Sequence, residues 1–298
     1  MALKLGVNSI NKLYLGSTAI NKAYLGAGIL FSGDFSPASL SALFAGGQQG
    51  LWLEVVQSGE FSPASLFAGG TDGAWFDPSD LSTLFQDSAG TTPVTASGQP
   101  VGKMLDKSGN GNHATQAIAA ARPIYTEGSG LAWLAFDGVD DAMEIQNAAF
   151  SFTGDQSVWV AAKHDTGTGG YIYLMGGNDK GYLFVTKGST RKMSFLPINS
   201  AARATSTSVI GTSPIVFGGA WDRSSGYISL RENGVEYTAS GTPEDVTAPV
   251  VTLLGAGNPN GANWDGNIYG VVIVNNLTTA SETGEVEAYL ATKSGVTL

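Results

Sequence analysis

From about residue 91 onward, apolar residues come in short alternating or continuous runs broken by Gly, Asn and Asp. Residues 131–136 (Leu-Ala-Trp-Leu-Ala-Phe) and 157–162 (Ser-Val-Trp-Val-Ala-Ala) have the length and composition of buried strands. The runs at 171–175, 182–186, 193–196 and 215–221 read the same way. Residues 227–231 and 235–238 flank Glu232-Asn233-Gly234, whose Asn-Gly pair predicts a type I′ hairpin turn. Runs at 250–254 and 268–274 complete a set of roughly ten strands without regularly interleaved helices. This pattern predicts a mainly β chain whose strands form a two-sheet antiparallel sandwich. Only residues 281–293 have a helical period, with Val286, Tyr289 and Leu290 on one face.

The first 90 residues have a different texture. Phe35-Ser36-Pro37-Ala38-Ser39-Leu40 recurs as Phe61-Ser62-Pro63-Ala64-Ser65-Leu66, and more loosely as Phe76-Asp77-Pro78-Ser79-Asp80-Leu81. A capping residue (Ser36, Ser62 or Asp77) directly before a proline predicts the start of a short helix. Leu40, Leu43 and Phe44, or Leu81, Leu84 and Phe85, then give one apolar face, and Gly46-Gly47 and Gly69-Gly70 stop the first two helices. Residues 33–90 therefore read as a connector of short helices and brief extended pieces around Trp52 and Trp75. Ahead of it, Ile10-Asn11-Lys12-Leu13-Tyr14-Leu15-Gly16 returns ten residues later as Ile20-Asn21-Lys22-Ala23-Tyr24-Leu25-Gly26. A ten-residue period suits one short strand and one tight turn. Ribbons this small cannot bury their own apolar residues, so residues 1–32 read as a leader that needs a partner surface or copies of itself. The anchoring contacts are then expected from Ile10, Tyr14, Leu15, Ile20, Tyr24 and Leu25.

Composition supports the β reading, with 41 glycines and only 13 % charged residues alongside 43 % hydrophobic ones. A formal charge of −10 and no basic stripe argue against a nucleic-acid partner. With no cysteine, disulfides and thiolate metal sites are excluded. Residues 1–6 carry no long apolar stretch and no cleavage signature, so no secretory signal is expected. No run approaches the length needed for a membrane-spanning helix, so no membrane insertion is expected either.

Leu105-Asp106-Lys107-Ser108-Gly109-Asn110-Gly111-Asn112-His113-Ala114-Thr115, followed by Leu134-Ala135-Phe136-Asp137-Gly138-Val139-Asp140-Asp141, resembles the opening of a concanavalin A-like (laminin G-like) lectin/glucanase jelly roll. Gly266-Asn267-Ile268-Tyr269-Gly270-Val271-Val272-Ile273 and the terminal helix resemble the close of such a domain. The resemblance covers about two thirds of the chain and implies a jelly-roll sandwich over residues 91–298. The Ile-Asn-Lys-x-Tyr-Leu-Gly repeat and the Phe-Ser-Pro-Ala-Ser-Leu segment resemble leaders of tailed-phage virion proteins such as fibres, decorations and head spikes. That resemblance implies a protein made in the host cytoplasm and built into a virion, where residues 1–32 contact capsid or tail proteins. It also implies a homo-oligomer, of which a trimer is the usual fibre form.

Glycoside hydrolysis needs two carboxylates about 5–10 Å apart. Glucanases that this fold resembles carry Glu-x-Asp-x-(x)-Glu along one strand, and no such string occurs here. The nearest acid clusters are Asp137/Asp140/Asp141/Glu144, in a glycine-containing turn, and Glu282/Glu285/Glu287, on the tail helix. Turn chemistry and solvated helix surface account for both. Of the two histidines, His113 lies in the jelly-roll opening with a structural role, and His164 precedes a glycine-rich loop that predicts exposure. With neither a nucleophile elbow nor a phosphate-cradling loop, the sequence reads as non-enzymatic.

Glycan binding is the natural use of the fold, with aromatics stacking on sugar rings and loop Asp and Asn groups meeting hydroxyls. Trp221-Asp222 and Asn263-Trp264-Asp265, with Asn258 and Asn260 beside the latter, are the candidate loops, set against a structural alternative in which Trp221 closes a strand and Trp264 packs beneath the last hairpin. Asp137, Asp140 and Asp141 offer hard oxygen ligands for Ca²⁺ on one turn; no other cofactor is implied. Two function classes follow. One is a virion structural protein displaying a lectin-like domain that adsorbs to host polysaccharide. The other is a free carbohydrate-binding module or polysaccharide depolymerase.

Overall fold

A computed structural model of the chain describes residues 14–15, 18–19, 22–25, 28–32, 51–52, 61–145, 154–165, 171–175, 182–187, 192–197, 204–207, 211–241, 252–256 and 263–298. The chain divides into two compact units, Met1–Phe61 and Ser62–Leu298. In the first unit, Tyr14–Leu15 pairs with Thr18–Ala19, and Lys22–Leu25 pairs with both Gly28–Ser32 and Leu51–Trp52. The Tyr-Leu pair of each ten-residue repeat is thus a strand element. Ile10, Ile20 and the first Phe-Ser-Pro copy lie outside the described residues.

The second unit is mainly β and is built from two antiparallel sheets. An eight-stranded sheet runs Ile124–Gly128, Leu131–Asp137, Asp265–Val274, Gln156–His164, Ile215–Asp222, Tyr227–Glu232, Val235–Ser240, with Gly73–Phe76 added beside Asp265–Val274. The opposing nine-stranded sheet runs Ala204–Thr205, Lys192–Pro197, Tyr182–Lys187, Tyr171–Met175, Thr252–Leu254, Met143–Ile145, Ala114–Thr115, Lys103–Met104, Leu84–Phe85. This is the expected sandwich.

The sequence patterns explain which strands face what. Along Leu131–Asp137 the buried residues are Ala132, Leu134 and Phe136, the period of two of a half-buried strand. Gln156–His164 is buried almost throughout, because one face meets the opposing sheet through Val158, Val160 and Ala162 while the terminal helix packs on the other. That helix, Ala280–Ser294, begins with a capping box between Thr279 and Glu282 and buries Val286 and Leu290. Asn233 and Gly234, with φ of 47° and 81°, make the two-residue turn between Tyr227–Glu232 and Val235–Ser240 as the Asn-Gly pair predicts.

The boundary drawn at residue 91 is corrected. Gly73–Phe76 pairs with Val271–Val274 and is buried at all four positions, so residues 62–90 belong to the sandwich rather than to a connector. The second Phe-Ser-Pro copy does form a short 3₁₀ helix, Pro63–Phe67, capped by Ser62. The third departs from it. The Asp77 carboxylate accepts from the backbone and hydroxyl of Ser79, the turn at Leu81–Thr83 is capped by Asp80, and Leu84–Phe85 is a strand.

The jelly-roll opening motif holds this added strand in place. Asp106 accepts from the backbone of Trp75, Ser108 and Asn112, and Asn112 Nδ2 donates to the Gly73 carbonyl at 2.6 Å. His113 Nδ1 accepts from the Asp106 backbone N–H at 3.1 Å, the structural role expected of it. The first strand of the sandwich unit is thereby clasped against its last.

Candidate functional site

Both tryptophans expected to stack on sugars are buried. Trp221 is 2 % exposed and Trp264 0 %, and each belongs to the core between the sheets. Along Ile215–Asp222 the period of two carries Ile215, Phe217 and Trp221 inward together, leaving Asp222 on the other face. Trp264 meets His164 edge-on with ring centroids 4.8 Å apart, and His164 is buried rather than exposed. Neither indole can present a face to a ligand.

Asp222 organises its own turn. Its oxygens accept from the backbone N–H and hydroxyl of Ser224, at 2.9 and 2.7 Å, and from those of Ser225, at 3.1 and 2.7 Å. The hydroxyls of Ser224 and Ser225 hold its carboxyl down to about 2. Asn258 and Asn260 lie outside the described residues.

Asn263 and Asp265 lie beside the acidic turn. The Asn263 amide donates to the Val139 carbonyl, and Asp265 faces Asp137 in the pairing of Leu131–Asp137 with Asp265–Val274. Two groups read separately from the sequence, 137–141 and 263–265, therefore meet on one side of the sandwich.

Within that turn Asp137 Oδ1 accepts from the backbone of Val139 at 2.8 Å and Asp140 at 3.3 Å, and Asp141 Oδ2 accepts from the Asp137 N–H at 3.0 Å. These bonds fold the loop so that one oxygen of each of Asp137, Asp140 and Asp141 lies within 4.8 Å of the others. Asp137 and Asp140 are exposed while Asp141 is buried. Burial first, and then the charges of Asp137 and Asp140, push the Asp141 carboxyl up to about 6. Three carboxylates in this arrangement fit a hard divalent cation, which would offset their mutual repulsion.

Two of the three tail-helix acids are structural, while Glu285 is exposed on the helix surface as expected. Glu282 completes the capping box, and Glu287, 3 % exposed, forms a bidentate pair with Arg231 at 2.8 and 3.0 Å instead of lying on solvated surface.

Sequence reasoning missed the most connected acid. Asp77 Oδ2 accepts from Lys293 Nζ at 3.0 Å, Tyr289 Oη at 3.0 Å and Lys107 Nζ at 3.3 Å. Burial, the largest single influence, works against its charged form. The Ser79 hydroxyl and the Lys293 and Lys107 ammonium groups outweigh it and hold the carboxyl below the usual range. Its position before Pro78 signalled only a helix cap, because its partners arrive from 30 and 216 residues further on.

No protein-family model matches the chain, and no curated protein matches it in sequence. Among solved structures it is similar to domain 4 of AbnA, a GH43 extracellular arabinanase from Geobacillus stearothermophilus, in complex with arabinotriose. That match has a TM-score of 0.50 and 17 % identity over 61 % of this chain and 91 % of that one. It is also similar to an arabinofuranosidase complexed with arabinofuranosyl-α-1,2-xylobiose, with a TM-score of 0.57, 14 % identity, and coverage of 78 % of this chain and 65 % of that one. A GH54 α-L-arabinofuranosidase soaked with a cyclic sulfate inhibitor matches at 0.56 and 14 %, over 78 % of this chain and 66 % of that one. The chain thus spans just under two thirds of each arabinofuranosidase. At these identities the likeness establishes one thing, a shared β-sandwich fold.

Proposed function

We propose that this chain is a non-enzymatic display module whose sandwich binds polysaccharide and whose leader fixes it to a larger particle of the tailed-phage virion type. The observation that carries the reading is the meeting of Asp137, Asp140 and Asp141 with Asn263 and Asp265 on one side of the sandwich. Carboxylate and amide groups gathered this way can hold a Ca²⁺ ion and accept from sugar hydroxyls. The fold it shares with proteins solved with arabinose-containing ligands supports a saccharide as the ligand class. A catalytic role has less support, because Asp77, Asp106, Glu282 and Glu287 are engaged in structural bonds.

In this reading residues 1–32 contact neighbouring virion proteins through Ile10, Tyr14, Leu15, Ile20, Tyr24 and Leu25, and assemble the chain as a homo-oligomer, in trimeric form if it is a fibre. The protein is made in the host cytoplasm and carried in the virion. Among the described residues no helix is long and apolar enough to cross a membrane.

The test is a glycan array on the full chain with and without a chelator, run beside an assay for new reducing ends. Binding that depends on the cation and weakens in Asp140→Ala, with no new reducing ends, is the expected result. New reducing ends would make the chain a depolymerase, and silence across the array would remove the saccharide. Deleting residues 1–32 is expected to abolish co-sedimentation with particles; a truncated chain that still sediments with them refutes the anchoring role.

A further inference from the structure

The outer face of the eight-stranded sheet carries a concavity of about 310 Å³ remote in sequence from the acidic turn. Its floor follows from strand register. Trp159, Gly218, Arg231 and Glu236 stand opposite one another across four neighbouring strands, and the Ala220–Ser229 and Asp222–Tyr227 pairs extend the same face. Leu277, Thr278, Ala280 and Thr283, at the start of the terminal helix, form the far wall. The hollow exists because Gly218 and Ala220 put almost no bulk there. A Cβ on Gly218 would collide with the Trp159 ring, so only glycine lets that indole settle against the sheet.

Two features give the hollow a chemistry. First, Trp159 is 2 % exposed, and its Nε1–H has no hydrogen-bond partner among the described residues. A buried donor left unpaired is costly; because this nitrogen is itself covered over Gly218, an acceptor brought in by a ligand would satisfy it only after a small shift of the indole. Tyr227 offers an exposed ring at the rim, and its hydroxyl donates to Glu236 Oε1 at 3.3 Å. Second, the charge balance is negative. Among the described residues, Asp222 and Glu236 line the hollow, while the one lining cation, Arg231, is neutralised by Glu287. An aromatic platform, a buried donor and carboxylate acceptors suit a polyhydroxylated ring, and the unbalanced carboxylates disfavour an acidic one.

We infer that this groove binds a single neutral sugar ring, without a metal ion, and excludes uronic and sialic acids. The volume, at the low end for small-molecule sites, accommodates one ring of a longer chain rather than an extended segment. The inference rests on the saccharide reading above and adds a second, cation-independent site to it.

The test titrates the full chain in chelator-containing buffer with arabinotriose, maltotriose, trigalacturonate and sialyllactose, followed by calorimetry and tryptophan fluorescence. A neutral trisaccharide should bind and perturb the emission, and the two acidic ones should not. Tyr227→Ala and Glu236→Gln, both on the exposed surface, should each weaken binding tenfold or more at unchanged thermal stability. Trp159→Phe, which keeps a ring and removes the donor, should also weaken binding, with some loss of thermal stability because the smaller ring leaves a cavity. Neutral sugars that bind all three variants as they bind the parent would overturn the groove while leaving the saccharide function standing. So would binding that appears only with Ca²⁺ present. Acidic sugars binding as tightly as neutral ones would overturn the charge argument, and no binding under any condition would overturn both readings.

Discussion

Replacing Asp77 with Asn tests whether one buried carboxylate holds the beginning of the sandwich unit to its terminal helix. The side chain is 4 % exposed and ties Ser79 to Lys107, Lys293 and Tyr289, residues spread over most of the sandwich. Asparagine keeps the shape and can still accept from Ser79. Its amide, however, would offer hydrogens to two ammonium groups and a phenol that also need an acceptor. Breaking a buried pair from one side costs about 3–5 kcal/mol. The lysine side chains are 21 % and 24 % exposed, and Lys107 also reaches Asp80 at 2.8 Å, so both cations can recover part of their solvation. The expected loss is therefore at the low end, about 3 kcal/mol, or roughly 6–12 °C in Tm for a domain of this size.

Five of the six tryptophans, all but Trp52, lie in the Ser62–Leu298 unit, so urea unfolding followed by their fluorescence reads mainly the sandwich. The pH dependence supplies a second constraint. The folded carboxyl sits below its usual value of 3.8, so its stabilisation is present above that value and is lost as pH falls through the lower folded one. The gap between parent and variant should close on acidification. A loss below about 1 kcal/mol at pH 7, or a gap that stays constant down to strong acid, would refute the account of Asp77 as a charged hub.

Gly218→Ala should cost about 1–3 kcal/mol by forcing the Trp159 ring away from the sheet, measured as a fall in urea midpoint; an unchanged midpoint would show that the indole has room to move. Gly234→Ala, at φ 81°, should cost about 1–2 kcal/mol in the same assay through strain in the hairpin turn. Asp141 is raised to about 6, so its protonated form stabilises the fold below pH 3.8 and that contribution disappears as pH rises through 6. In cation-free buffer Asp141→Asn should match the parent near pH 4 and exceed it near pH 7.5 by about 1 kcal/mol, a figure already reduced for solvent screening at the turn. A variant that is weaker at both pH values would show that the carboxylate does more than repel its neighbours.

Much of the sandwich was legible because its central strands carry their burial in their own composition. Residues 158–162 within Gln156–His164, and most of Ile215–Asp222, are unbroken apolar runs, and the Asn233-Gly234 turn and Thr279 cap announce themselves locally. The two-residue strands Leu84–Phe85, Lys103–Met104 and Ala114–Thr115 did not, since nothing in a pair of residues specifies a strand until its neighbours are in place. Gly73–Phe76 was hidden for a related reason: its partner is far along the chain, and the proline after Asp77 imitates a helix start. Trp221 takes the structural alternative to sugar stacking, and its spacing from Ile215 and Phe217 already assigns it to the inner face. The acidic turn was visible as a cluster. Its contact with Asn263 and Asp265, and the groove over Gly218, require registers between strands that no local pattern encodes.

The pairing of Gly73–Phe76 with Val271–Val274 also sets a clock on biosynthesis. Roughly 190 residues separate Phe76 from Asp265, where the last strand begins. At about 5–20 residues per second a ribosome needs about 10–40 s to cross that interval. Throughout it the early strand lacks its sheet partner. The ten-residue repeats emerge earlier still, and Lys22–Leu25 needs only Gly28–Ser32 and Leu51–Trp52 to pair. If the repeats join copies of the chain as proposed, neighbouring nascent chains on one message would meet through them while each still waits for its last strand, and association would precede completion of the fold.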